Sequence, residues 1–311
     1  MKCLVAVVGP TAVGKSQLAL HLAQDFDGEI INADSRQVYR YMDIGTAKPS
    51  RAEMSLVRHH LIDIINPDES FNLAIYQKLA FEAIEDIQQR HKFPLLVGGS
   101  GLYVWSLIEG WKIPPVAPNA KLRHSLEIRA REKGGYALYQ ELQKLDQEAA
   151  AKIMPTNLRR IIRALEICQT TGHPASQLWQ KQPPPYPVLI IGLNMQRENL
   201  YHRIDSRVDE MIKHGLVDEV KDLIEKGYSL DLPSMSGIGY RQICMFLQRE
   251  LDLSAATQRI KYETHRFARH QYAWFHLDDA RIHWFDECNN IQKEAADLVS
   301  TFVDSIIGQA G

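Results

Sequence analysis

The run Gly9-Pro10-Thr11-Ala12-Val13-Gly14-Lys15-Ser16 fits the pattern G-x-x-x-x-G-K-[ST], between an apolar run and a stretch of helical periodicity. In that context the glycines let successive N–H groups turn inward onto phosphate oxygens, and the helix that follows adds the positive end of its dipole. Lys15 supplies a full charge and Ser16 a hydroxyl able to ligand Mg²⁺. The plain alternative is a glycine-rich turn that joins strand to helix. A second apolar run closes in Ala33-Asp34-Ser35-Arg36-Gln37, which puts Asp34 at the same sheet edge as the phosphate loop. A carboxylate there can hold Mg²⁺ through water or take a proton from an incoming nucleophile. The alternative role for Asp34 is a helix N-cap.

Hydrolysing enzymes with such a loop usually carry an aspartate at a later strand end. Here Leu95-Leu96-Val97-Gly98-Gly99 ends in glycine with no acid, which argues against a motor or switch ATPase. These residues by themselves describe a P-loop enzyme of phosphoryl or diphosphate chemistry, and a small-molecule kinase fits them equally well.

The elements that must position these groups are readable from periodicity. Strands are predicted over Leu4–Val8, Glu29–Asn32, Leu61–Ile65 and Pro94–Val97, with helices over Ser16–Gln24 and Leu73–Arg90. Strands alternating with amphipathic stretches predict an α/β fold, a P-loop NTPase-like parallel sheet flanked by helices, with ligands at its carboxyl edge. Proline breaks at Ile113-Pro114-Pro115 and from Gln182 to Pro187 bracket a segment of different composition. The expected division is a core of residues 1–113 and 188–311 and a mostly helical insertion of residues 114–187. After Pro183 the pattern gives one strand, Val188–Leu193, then helices over Asn199–Lys226, Gly239–Arg249, Ser254–Phe275 and Ile291–Ile307, with Gly227 as a helix end.

Apolar residues at 45% and charged residues at 24% of 311 place the chain among ordinary globular proteins. A formal net charge of −2 gives no global footprint for nucleic acid, so such a partner needs a local patch. Residues 116–187 supply one: 11 lysines and arginines against 6 aspartates and glutamates, a balance of +5. A solvated helical face is the other reading of that excess. Cys3, Cys168, Cys244 and Cys288 show no metal-ligand spacing and read as free thiols in a reducing compartment. No apolar run approaches the roughly 20 residues that span a bilayer, and Gly9 and Pro10 cut short the first one. A cytoplasmic, monomeric protein with no membrane partner is expected.

The phosphate loop, Asp34-Ser35-Arg36-Gln37-Val38-Tyr39 and Met42-Asp43-Ile44-Gly45-Thr46-Ala47-Lys48-Pro49 together resemble the tRNA dimethylallyltransferase family. The resemblance continues through Gly98-Gly99-Ser100-Gly101-Leu102-Tyr103, Arg163-Ala164-Leu165-Glu166, Gly237-Ile238-Gly239-Tyr240-Arg241 and the stretch around Trp274. Residues 43–49 weigh most, because no generic phosphate-binding logic demands them. No zinc finger follows the core, which by resemblance suggests the bacterial type. The resemblance implies that residues Gly9 to Ser16 hold dimethylallyl diphosphate with Mg²⁺. It also implies that the protein alkylates the exocyclic N6 of the adenosine next to the anticodon, on its 3′ side, in a tRNA anticodon stem-loop.

By the same resemblance Lys15 and Arg207 meet charge on the leaving diphosphate, and Asp34 removes the amine proton. Without it, Arg207 reads as a surface arginine paired with Asp205 or Glu210. Contacts to tRNA are implied for Asp34, Ser35, Arg36, Gln37, Ser100 and Arg123, for Arg159, Arg160, Ile161, Ile162 and Arg163, and for Ser236, Gly237, Ile238, Gly239, Tyr240 and Arg241. His59 matches a family histidine but reads as structural. His265, His270 and His276 stand where the family tends to have arginine, which predicts a grip on RNA that strengthens on acidification. The nearest alternative is an adenylate isopentenyltransferase acting on free adenine nucleotides, which has no use for a basic insertion.

Overall fold

Strand β1, Leu4–Val8, is apolar at every position and buried on both faces, as a central strand of a parallel sheet must be. In the computed structural model, which describes residues 2–286 and 290–308, it pairs in parallel with β4, Phe93–Val97, and β5, Val188–Asn194. Strand β2, Gly28–Asn32, lies beyond β4, and the full order is β3-β2-β4-β1-β5-β6. This is the expected α/β architecture, with β1, β2 and β4 ending at one edge.

Helix α1, Lys15–Asp25, packs Leu18 and Leu22 onto this sheet. Helix α2, Arg51–Leu56, opens with a capping box between Ser50 and Glu53. Helix α3, Leu73–Gln89, flanks β2 and β4, and α4, Gly101–Ile108, packs against α3. Leu73–Gln89 keeps an apolar face through Tyr76, Ala80, Ile84 and Ile87, the spacing that predicts it.

Three sequence-based expectations need correction. The strand β3 is His59–His60 alone, paired with Ile30 and Ile31, not Leu61–Ile65. Leu61 and Asp63 have φ of 63° and 55°, which breaks extended pairing. Residues 63–65 instead bond the loop after β2: Asp63 N–H donates to Gln37 O at 3.2 Å, and the Ile64 and Ile65 N–H groups both donate to Val38 O. A further strand, β6, Ile282–Asp286, pairs with β5 from Ile190↔Ile282 to Asn194↔Asp286. Its five residues form a half-exposed edge, so no continuous apolar run marked it.

The helix expected over Asn199–Lys226 is two helices, here numbered after the five of the smaller unit below. Their junction is Gly215 at φ 96°, which favours glycine. These are α10, Arg197–Lys213, and α11, Leu216–Glu225. Then come α12, Tyr240–Leu247, and α13, Leu253–Gln271, which stops four residues before Phe275. Helix α14, Ile291–Gly308, completes the larger unit. Gly227 follows the end of α11 at φ 90°.

The chain separates into the unit Met1–Ile108 with Pro184–Gly311 and the unit Glu109–Pro183. The smaller unit is helical: α5 Ala120–Lys133, α6 Gly135–Leu145, α7 Gln147–Lys152, α8 Leu158–Thr171 and α9 Ala175–Leu178. Its own core gathers Leu126, Leu138, Leu142, Ile161, Ile162 and Leu165. Cys3, Cys168 and Cys244 are buried free thiols, and Cys288 lies outside the described residues. No helix among the described residues is long and apolar enough to cross a membrane.

Candidate functional site

A cleft of about 960 Å³ opens at the carboxyl edge of the sheet, lined by the phosphate loop, the segments after β2 and β4, and faces of α10 and α13. Its floor is the turn from β1 into α1. Gly14 stands at the helix N-cap with φ 108° and no side chain caps the first turn, so the free N–H groups of α1 are left for an outside acceptor. The first turn also carries no acid.

Lys15 enters this floor half-buried, its ammonium donating to Pro10 O at 2.7 Å. Burial is the main cause that lowers its pKa to about 7, Arg207 adds to the depression, and Asp34 opposes it. Arg207, on α10, is likewise depressed by burial and supported by Asp34. Two cations thus face one carboxylate across the cleft, an arrangement short of negative charge. Among the described residues no hydrogen bond or ion pair engages Arg207. Of the partners that a surface arginine would take, Asp205 lies 2.8 Å from His265 and Glu210 pairs with Lys213.

Asp34 follows the last residue of β2. Its backbone N–H donates to Asn32 Oδ1 at 3.0 Å, and its own Oδ1 accepts the Arg36 N–H at 2.7 Å. No helix starts there, so the N-cap reading is corrected: the bond to Arg36 closes a turn within the segment. Ser35 N–H donates to Ser100 Oγ at 3.2 Å, which ties this segment to the loop after β4. Arg36 reaches Pro233 O at 2.8 Å and Ser234 O at 3.3 Å. Gln37 donates to Thr46 O and Ala47 O at 3.1 and 3.2 Å.

That last contact explains residues 43–49. Lys48, with a side chain 3% exposed, bonds Tyr39 O at 2.6 Å and pairs with Asp43 and Asp63. Glu219 of α11 accepts the N–H groups of Asp43, Ile44 and Gly45 at 2.9, 2.7 and 3.1 Å. The loop is therefore a built wall of the cleft, held from both sides.

Gly237, Ile238, Gly239 and Tyr240 also line the cleft, as does Ser236. Tyr240 is 1% exposed, and Arg241 pairs with Glu263. His59 lines the wall too, with Nδ1 2.8 Å from Val57 O and a pKa lowered by burial. Tyr103 is core: its ring stacks on Tyr76 with centroids 3.8 Å apart. Gln271 escapes sequence reasoning, because a glutamine at the end of an amphipathic helix carries no motif, yet it bonds both the phosphate loop and Gly99.

The remaining predicted residues lie in the smaller unit. Arg123 grips Glu166 with two bonds of 2.9 and 2.7 Å, and Arg163 adds one of 2.5 Å. Arg159 and Arg160 are exposed. Ile161 and Ile162, at 0% and 6% exposure, are corrected to core residues: the apolar stripe of α8 turns them inward, and their side chains present nothing to RNA. His265, 19% exposed and stacked on Tyr201 at 4.0 Å, is no surface imidazole, whereas His270 and His276 are exposed.

The family model described as IPP transferase matches residues 37–278. A tRNA dimethylallyltransferase of Roseiflexus castenholzii is 55% identical over 272 residues, 88% of this chain and 89% of that protein. The structure of a tRNA isopentenylpyrophosphate transferase from Bacillus halodurans is similar with a TM-score of 0.73, 41% identity and 98% of each chain covered. A eukaryotic dimethylallyltransferase, described as acting on tRNA, gives a TM-score of 0.83 at 27% identity, over 98% of this chain and 80% of its own.

Proposed function

The chain belongs to the IPP transferase family, and from that premise we propose that it transfers a dimethylallyl group from dimethylallyl diphosphate to N6 of the adenosine on the 3′ side of the anticodon in tRNA. The observation that carries this reading is the charge arrangement of the cleft: Lys15 and unpaired Arg207 opposite Asp34, over an uncapped helix start.

An allylic diphosphate reacts by breaking C1–O with carbocation character, so negative charge grows on the departing diphosphate. Lys15, Arg207 and the N–H groups of α1 meet that charge where it develops. The attacking amine is a weak nucleophile, since its lone pair is delocalised into the ring. As N6–C1 forms, the N6 proton passes to the Asp34 carboxylate, and the C1–O electron pair leaves with the diphosphate. The Asp34–Arg36 turn and the Ser35–Ser100 bond hold the carboxylate at the cleft.

Among the described residues no group of three or more His, Cys, Asp or Glu could hold a metal ion. A cation here therefore needs oxygens of the substrate. Ser16 is a hard oxygen donor on the cleft wall, which suits Mg²⁺, an ion that binds through one or two protein oxygens plus phosphates. When bound, Mg²⁺ would neutralise diphosphate charge. In the smaller unit the RNA contacts fall to the exposed Arg159 and Arg160, with Arg123 and Arg163 already committed to Glu166.

The test is incubation with labelled dimethylallyl diphosphate and either tRNA or AMP. Label in tRNA supports the proposal. Label in AMP alone would make the chain an adenylate isopentenyltransferase, and transfer from ATP with no use of prenyl donor would make it a kinase.

A further inference from the structure

Helix α13 ends on Gln271, whose side chain is 4% exposed and lies between the two loops at the head of the cleft. Its Oε1 accepts the N–H of Thr11 at 2.8 Å, and its Nε2 donates to Gly99 O at 2.9 Å. Because an amide has one acceptor end and one donor end, the two bonds fix its orientation. The sequence makes room for it: a Cβ on Gly99 would collide with Nε2. Just beyond, the side chain of Trp274 covers Gly101, and Trp274 O accepts Trp105 Nε1–H at 2.8 Å. The end of α13 is thereby locked to both loops.

Thr11 stands 260 residues from Gln271 in sequence, inside the phosphate loop and just before Ala12, whose φ is 65°. An N–H bonded to Oε1 is not available to a phosphate. The peptide it belongs to sets the direction of those that follow. We propose that Gln271 is a positioning residue for the diphosphate site, an element of the cradle outside its sequence motif that fixes which loop N–H groups face the anion. The inference rests on the reading of this cleft as the prenyl diphosphate site. It also makes α13, which brings Thr264 and Phe267 to the cleft wall, a mechanical link from that wall to the phosphate loop.

Gln271→Met keeps the length and bulk of the side chain but removes both bonds, leaving the Thr11 N–H and Gly99 O unpaired. The expected result is a dissociation constant for inorganic diphosphate, measured by calorimetry, that rises about tenfold, the size of effect of one well-placed bond. In transfer assays the KM for dimethylallyl diphosphate should rise alike, with the KM for an anticodon stem-loop within about twofold of wild type. A fall in kcat alone, with diphosphate affinity unchanged, would reduce Gln271 to a packing residue and overturn the proposal.

Gln271→Glu gives a second readout. A protonated glutamic acid reproduces both bonds, whereas its carboxylate sets an anion against Gly99 O and the ligand. The affinity for inorganic diphosphate, taken as a ratio to wild type at the same pH, should recover between pH 8 and pH 5.5. Wild type is the reference because Lys15 titrates in the same cradle and Asp34 and Arg207 share the cleft in both proteins. A ratio that stays flat overturns the inference. Failure of wild type to use dimethylallyl diphosphate would sink the proposed function instead, and the calorimetric arm would still decide the role of Gln271.

Discussion

Tyr240 donates its phenolic hydrogen to Glu219 Oε1 at 2.6 Å, and the same carboxylate accepts the three N–H groups that open the 43–49 loop. The ring of Tyr240 lies against Gly45, where a Cβ would stand 2.5 Å from it. Burial raises the tyrosine pKa well above its ordinary value, and Glu219 raises it further, so the phenol stays a donor throughout the physiological range. One buried tyrosine and one acid thus fasten a cleft wall to α11 and α12.

Replacing Glu219 by glutamine turns an NH₂ group towards backbone N–H donors. The expected cost is about 1–3 kcal/mol of stability, from donors left without an acceptor. Gly45→Ala should cost about the same by overpacking against Tyr240. Urea unfolding midpoints measure both, and midpoints equal to wild type would show that the wall is not held in this way.

Lys15 gives a proton linkage with a definite sign. Its pKa is about 7 in the folded protein and 10.5 ordinarily, because burial, then Arg207, disfavours the charge. Between those values the unfolded chain holds a proton that the folded chain lacks, so the free protein gains stability as pH rises through this window. Lys15→Met should lose that slope. Diphosphate binding restores the charge, so calorimetry at pH 8 in buffers of different ionisation enthalpy should show uptake of about one proton. Proton release would contradict the assignment.

Glu166 carries the opposite linkage. Burial pushes its pKa up, but hydrogen bonds from Arg123, the Asn119 N–H and Arg163 together outweigh burial and hold it at about 2, against 4.5 ordinarily. Its stabilisation is complete above pH 4.5 and is lost as pH falls towards 2. Glu166→Gln should destabilise by about 3 kcal/mol at pH 7, the low end for breaking a buried pair, since its arginines are partly exposed. The gap from wild type should narrow towards pH 2.5. A gap that does not change with pH would contradict the pairing.

The same pairing decides which arginines to test on RNA. Arg163 holds Glu166, so reversing it would damage the fold, whereas Arg159 and Arg160 are exposed on α8. Changing these two to glutamate should flatten the dependence of log K for tRNA on log salt by up to roughly 1.4, at about 0.7 for each phosphate contact on single-stranded RNA. An unchanged slope would make them ordinary solvated side chains.

Strand β1, the phosphate loop and the position of Asp34 were legible because local rules govern them: an apolar run, a glycine-lysine motif and a strand end. Residues 61–65 misled because an apolar run says nothing of φ, and Leu61 and Asp63 adopt positive values that only their loop contacts explain. Strand β6 was missed because a short edge strand need be apolar on one face alone. Gln271 and Glu219 were invisible for another reason. Their partners, Thr11 and Gly45, are 260 and 174 residues away, and a bond to backbone leaves no complementary residue type to notice.

The central claim is that the Asp34 carboxylate takes the N6 proton while Lys15 and Arg207 receive the diphosphate. Asp34→Asn keeps the side-chain oxygen that accepts the Arg36 N–H and removes basicity, so the turn should survive and the chemistry should not. Single-turnover prenylation of an anticodon stem-loop at saturating dimethylallyl diphosphate is the direct measurement. The account predicts a rate lower by about 10²–10⁴, with stem-loop affinity near wild type. A rate within about threefold of wild type, far short of the smallest loss that removal of a general base brings, would contradict it.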